Sequence, residues 1–132
     1  MIERLGGAEG RLLELLAQSP RGPKRNGVFA VWMFVRVCEG VLLPEPLTLR
    51  AHRRRLENLE RRLASLSVPA PLKRALASAV RELLDGGRLQ AGMALQRLAA
   101  PARETLGAEV GEVLGLAARI AKETESGGPG RE

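Results

Sequence analysis

The chain has few of the residues on which enzymes and metal proteins rely. Its 132 residues include one histidine (His52), one cysteine (Cys38), one aspartate (Asp85) and no tyrosine. A lone histidine and a lone cysteine provide neither a metal ligand set nor a nucleophile paired with a base. We therefore expect a non-enzymatic protein with no metal and no cofactor, in which Cys38 is a buried thiol and His52 bonds to a carbonyl.

Aromatic residues are also scarce, and all three lie in one segment, at Phe29, Trp32 and Phe34. The core must therefore consist mainly of leucine, valine and alanine, which suits helices that pack at close range. We expect the aromatic segment to be buried. In that case no ring is left to stack on the bases of a single-stranded nucleic acid.

Disulfides, a signal peptide and a long apolar run are absent as well. One cysteine cannot form a disulfide within the chain, and the first residues lack the basic start and apolar run of a secretory signal. The longest apolar stretch, from Val28 to Leu43, contains Arg36 and Glu39 and is shorter than the roughly 20 residues that cross a bilayer. These features predict a cytoplasmic protein with no membrane span.

The apolar periodicity and the proline and glycine breaks predict an all-α fold. We expect a compact bundle of about five to six short helices in one domain, residues 1–125, followed by a flexible tail, residues 126–132. The predicted helices, with a loop over 19–27, cover residues 1–18, 28–39, 47–66, 72–85, 89–99 and 101–122.

The segment 28–39 is the ambiguous element, because its β-branched and aromatic residues also favour a strand. No other segment is a comparable partner strand, so we interpret it as a central helix that is buried nearly all round.

A leucine stripe marks the predicted third helix. Apolar side chains and one histidine recur there at alternating spacings of three and four, which places them on one face of a helix. They are Leu49, His52, Leu56, Leu59, Leu63 and Leu66. The stripe is too short to form a lone coiled coil, so we expect Leu56, Leu59 and Leu63 to pack within the bundle or against another chain.

Arginines occupy the rest of this helix, and positive charge is concentrated in the middle of the chain. Between residues 19 and 81 there are 13 lysines and arginines against four glutamates. The predicted anion-binding set, which we call the basic ridge, comprises Arg50, Arg54, Arg55, Arg61 and Arg62. The loop cations Arg21, Lys24 and Arg25 would extend it if the fold brings them near.

Basic residues at the start of a helix are unfavourable, because the helix dipole is already positive there. Each costs about 0.3–1 kcal/mol at low salt, and a bound anion would relieve that cost. The alternative is a solvated charged face with no partner. Pairing of the arginines with Glu104, Glu109 or Glu112 near the end of the chain would leave little charge for a ligand.

Three glycines spaced by four, Gly107, Gly111 and Gly115, line one edge of the predicted final helix. Each costs about 1 kcal/mol relative to alanine, and together they would let another helix approach closely. That helix could belong to the same chain or to a second copy, so a homo-oligomer is one prediction. The alternatives are a general excess of glycine or a shorter helix.

Together these features predict a non-enzymatic interaction subunit, such as an adaptor, a scaffold or an assembly component, that binds an acidic protein partner. The alternative is a protein that binds the nucleic-acid backbone without sequence preference, as a small subunit of a ribonucleoprotein complex does. A peripheral role on anionic lipid ranks third.

Overall fold

The computed structural model describes residues 5–41, 49–86 and 90–126, and within these ranges every element is a helix. The prediction of a compact all-α bundle is confirmed. The six helices, labelled in chain order, are α1 Leu5–Gln18, α2 Pro23–Val41, α3 Leu49–Ser65, α4 Ala70–Gly86, α5 Ala91–Leu106 and α6 Ala108–Ser126. None of these described helices has the length and apolar character needed to cross a bilayer.

The predicted loop over 19–27 is wrong for its second half, because α2 begins at Pro23. Proline suits the first position of a helix, since it lacks only an N–H that has no partner there. Gly22 adopts a φ of +141°, and the Asn26 N–H donates to the Gly22 carbonyl at 3.0 Å to close the first turn. Lys24 and Arg25 therefore lie on a helix.

The predicted break between residues 99 and 101, with Pro101 opening a sixth helix, is also wrong. Helix α5 continues through Pro101 and ends at Leu106, where Gly107 takes a φ of +114° and its N–H bonds to the Arg103 carbonyl at 3.0 Å. Glycine adopts a positive φ without steric penalty and therefore ends the helix readily. The proline inside α5 removes one backbone hydrogen bond but does not end the helix.

Some expectations concern parts of the chain outside the described residues. We expected Pro44 and Pro46 to prevent the second helix from continuing and Gly86-Gly87 to end the fourth; of these residues, Gly86 alone is described and is the last residue of α4. Of the predicted tail 126–132, Ser126 alone is described and is the last residue of α6.

Helix α2 lies at the centre and contacts α1, α3, α4 and α5. Its large side chains Val31, Phe34 and Val35 are fully buried, as is Cys38. The helical interpretation of residues 28–39 is correct because neighbours on several sides cover these apolar groups. The expectation that every aromatic ring is buried is wrong, because Phe29 and Trp32 are only half-buried.

Helices α5 and α6 form a closely packed antiparallel hairpin. A Cβ added to Gly111 of α6 would lie 2.7 Å from the Arg103 Cβ of α5, and one added to Gly92 of α5 would lie 3.3 Å from the Lys122 backbone nitrogen of α6. In each pair, the two residues are equally distant in sequence from Gly107, the turn residue. One glycine from each helix therefore permits the close approach.

Candidate anion-binding surface

The leucine stripe of α3 faces the core, since Leu56, Leu59 and Leu63 are buried. One edge of α3 lies beside α4, where Glu60 forms an ion pair with Arg81 at 3.5 Å. The opposite edge lies beside α2, where the Arg62 guanidinium reaches the Met33 sulfur at 4.0 Å. The remaining face of α3 points outward.

The described arginines of the basic ridge, Arg54, Arg55, Arg61 and Arg62, are all exposed. None forms an ion pair with a described residue. Arg61 donates a hydrogen bond to Asn58, which is a neutral acceptor and leaves the charge uncompensated. Arg50 lies in the first turn of α3, but its side chain, like that of His52, is outside the described part.

The described carboxylates that form ion pairs do so away from the ridge. Glu57 pairs with Arg53 at 3.5 Å on the edge near α4, and Glu82 of α4 pairs with Arg97 of α5. On α5 and α6, the exposed glutamates form no described ion pair with α3. They are Glu104, Glu109, Glu112 and Glu123. The charge of the described ridge arginines is therefore not neutralised by these acids.

The cations predicted to extend the ridge lie at the far end of α3. The Asn26 amide of α2 donates to the Ser67 carbonyl at 2.9 Å, so α2 begins where α3 ends. A helix of 17 residues is about 25 Å long. The exposed Arg21 and Lys24 and the half-buried Arg25 therefore neighbour the Arg61–Arg62 end rather than the first turns of α3.

A lysine from α4 fixes the carboxyl end of α3. The Lys73 ammonium donates to the carbonyls of Ala64 at 3.1 Å and Leu66 at 3.3 Å. These carbonyls have no partner within the helix, and a cation is favourable at the negative end of the dipole. The orientation of the ridge is thus held by α2, by α4 and by the buried leucines.

Helix α2 carries a stacked cluster that was not predicted from the sequence. The rings of Phe29 and Trp32 stack with centroids 5.7 Å apart, and the Arg36 guanidinium lies 5.4 Å from the Trp32 ring. These three residues are spaced by three and then four positions, which places them on one face of a helix and could have predicted the cluster. The cluster was not predicted because we expected the whole aromatic segment to be buried. The Trp32 indole N–H is buried without a hydrogen-bond partner in the described structure.

The three glycines predicted to share one helix edge have three different environments. Gly107 lies outside α6, at the turn, so the expectation of three in register on one helix is wrong. Gly111 is the point where α5 approaches α6, whereas a Cβ on Gly115 would meet nothing within 4 Å. Nothing described within the chain therefore explains the glycine at position 115 by close packing.

Among the described residues, no three His, Cys, Asp or Glu side chains lie together as a metal site requires. No protein-family model, curated protein or solved structure matches the chain.

Proposed function

We propose that the protein is a non-enzymatic interaction subunit, an adaptor, scaffold or assembly component, that binds an acidic protein surface through the basic ridge of α3. The supporting observation is that Arg54, Arg55, Arg61 and Arg62 are exposed without a described ion pair. Guanidinium groups present a planar fork that matches a carboxylate with two hydrogen bonds.

The placement of the arginines on the helix favours an external partner. At 100° per residue, Arg54 and Arg61 lie nearly opposite the buried leucine stripe, and Arg55 and Arg62 lie toward α2. The two glutamates of α3 lie on the other edge, where Glu57 and Glu60 form ion pairs. Positive and negative groups of one helix are thus separated onto different surfaces, which leaves a basic surface that an acidic one can complement.

The nucleic-acid backbone is the second candidate. The specific observation in its favour is the half-buried Phe29–Trp32 pair on α2, the helix that borders the Arg62 edge of α3. Aromatic rings beside cations are the combination that single-stranded nucleic acids use. The rings stack on each other and are not fully exposed, so we rank an acidic protein first.

The decisive experiment compares two double variants with the same change in net charge. The ridge variant is Arg54→Glu/Arg61→Glu, and the control variant, Arg74→Glu/Arg103→Glu, reverses exposed arginines of α4 and α5. Affinity capture from the native host, followed by mass spectrometry, should recover the same acidic protein with the wild type and with the control. We expect the ridge variant to lose it while its circular dichroism is unchanged.

Recovery of the same partner by the ridge variant would contradict the proposal. A salt titration with generic RNA and duplex DNA separates the second candidate. Binding through phosphates loses affinity linearly on a log–log plot as salt rises. If the wild type shows that slope and the ridge variant does not, nucleic acid replaces protein as the partner.

A further inference from the structure

A cleft separate from the basic ridge lies between α1, α5 and α6. Its volume is about 670 Å³, which is within the range of small-molecule sites. Helix α6 supplies seven of the ten lining residues, and the other three are Gln96 and Ala99 of α5 and Arg11 of α1. No residue of α3 lines it, so the cleft is independent of the surface proposed above.

Gly115 lies in this cleft, and the cleft gives that glycine a physical explanation. A glycine inside a helix costs about 1 kcal/mol relative to alanine. Gly92 and Gly111 are explained by the close approach of α5 and α6, but a Cβ at position 115 would meet open space. The missing side chain therefore enlarges the cleft over α6 and does not serve to let another described helix approach closely.

The cleft combines an apolar surface with excess positive charge. Its apolar lining comes from Ala99, Val113, Leu116 and Ala118, together with Gly115. Three cations but one carboxylate, Glu112, also line the cleft. These cations are Arg11, Arg119 and Lys122.

The two arginines of the cleft have charge to offer a ligand. Arg11 and Arg119 are exposed and form no ion pair with a described residue, whereas Lys122 is held by Gln96 of α5. A cleft lined by apolar side chains and by a few cations is the pattern of a site for an amphipathic anion.

We propose that the cleft binds an organic anion with an apolar chain, its carboxylate or phosphate head group held by Arg11 and Arg119. The chain lies over Gly115 and the neighbouring apolar side chains. Glu112 disfavours a second negative charge at its end of the cleft, so the ligand carries its charge at one end. A cationic amphiphile of the same length is rejected, because the two unpaired arginines repel it.

The probes are decanoate, decyl phosphate and decyltrimethylammonium, each below the concentration at which it forms micelles. Isothermal titration calorimetry should show saturable one-to-one binding of at least one of the two anions and none of the cation. Amide chemical shifts in NMR spectra should change at Ala99, Gly115 and Leu116 and not on α3. The tighter anion identifies the head group as carboxylate or phosphate. Equal binding of the cation, or binding of neither anion, would overturn the proposal.

Variants then locate the site. Gly115→Leu places a side chain in the cleft at a position where an added Cβ meets nothing within 4 Å, and it should weaken anion binding at least tenfold. Its matched control is Gly10→Leu, because Gly10 of α1 is also a helical glycine whose added Cβ would meet nothing within 4 Å. The control should bind as the wild type does.

Exposed charge variants keep the test valid if Gly115→Leu does not fold. Arg11→Gln and Arg119→Gln should each weaken binding of the anion at least threefold, with thermal unfolding close to that of the wild type. Unchanged affinity in both variants would show that the head group lies elsewhere and would refute the assignment.

Discussion

Glu9 of α1 is the one described residue whose ionisation is strongly altered by the fold. The pKa of Glu9 is raised from 4.5 to about 7, chiefly by burial and further by the hydrogen bond and negative charge of Glu39 on α2, while the positive charge of Arg36 lowers it in part. Its Oε2 atom is buried without a hydrogen-bond partner in the described structure. A charged oxygen enclosed in this way lacks the solvation it needs, so the protonated form is favoured.

This raised pKa predicts that stability falls as the pH rises. Between pH 4.5 and about 7 the folded protein holds a proton on Glu9 that the unfolded chain has released, so the free energy of unfolding decreases across that interval. The substitution Glu9→Gln preserves the shape of the side chain and removes its ionisable carboxyl group. Because the group is partly exposed, we expect Glu9→Gln to be more stable than the wild type by roughly 1 kcal/mol at pH 8, and about equal to it at pH 4.5.

Urea unfolding at pH values from 4.5 to 8 measures this difference. The matched control is Glu14→Gln, which changes an exposed glutamate of the same helix and should follow the wild-type curve. Parallel curves for wild type and Glu9→Gln over the whole range would show that Glu9 titrates alike in the folded and unfolded chains.

At the scale of the element, the two glycines inside α6 predict opposite effects of the same substitution. Gly111→Ala places a Cβ 2.7 Å from the Arg103 Cβ and 3.3 Å from its Cα, neither of which is a flexible chain end, so α5 and α6 must separate. We expect a loss of about 1–2 kcal/mol in the free energy of unfolding. Gly115→Ala meets open space and should gain up to about 1 kcal/mol from the better helix propensity of alanine.

Chemical denaturation of the two alanine variants checks this prediction, and each variant serves as the other's control, because both make the same change in one helix. A stabilised Gly111→Ala would mean that the hairpin is looser than described. A destabilised Gly115→Ala would mean that the space above position 115 is filled in solution.

The accuracy of each predicted helix boundary depended on how the proline near that boundary acts in the folded chain. The leucine stripe of α3 predicted its bounds to within two residues, because the pattern of a core-facing helix is local. Pro23 was placed in a loop, yet it begins α2, and Pro101 was expected to open a sixth helix, yet it lies within α5. Whether a proline ends a helix depends on whether packing offsets the lost hydrogen bond. That packing involves residues distant in sequence, so the local sequence pattern does not reveal it.

At the scale of the whole molecule, the placement of the ridge relative to other charges required the fold. The sequence showed which arginines share a face of α3. It did not show that Glu60 would turn to Arg81 of α4, or that Lys24 would lie at the far end of α3. The cleft was still less predictable, since Arg11 and Arg119 are more than a hundred residues apart in sequence and only the packing of α1 on α6 brings both to one cavity.

The concentration of positive charge predicts a salt response of the whole protein. Residues 19–81 carry 13 basic groups against four acidic ones, and the described arginines of the ridge form no ion pair with a described carboxylate. Like charges gathered on one side destabilise the compact state, and salt screens them over about 10 Å at 0.1 M. Raising sodium chloride from 10 to 300 mM should stabilise the wild type by about 1 kcal/mol, roughly 3–6 °C in the unfolding midpoint for a chain of this size.

The two double variants used for partner binding separate clustering from net charge. Both Arg54→Glu/Arg61→Glu and Arg74→Glu/Arg103→Glu lower the net charge equally. The first removes repulsion within the ridge, so it should unfold at a higher temperature than the wild type in 10 mM salt and respond less to added salt. The second should keep most of the wild-type response, because its arginines lie on different helices, α4 and α5. If both variants lose the salt dependence of stability equally, the effect comes from total charge and not from clustering. If the stability of the wild type does not change with salt, the arginines of the ridge do not repel one another enough for a bound partner to relieve that repulsion.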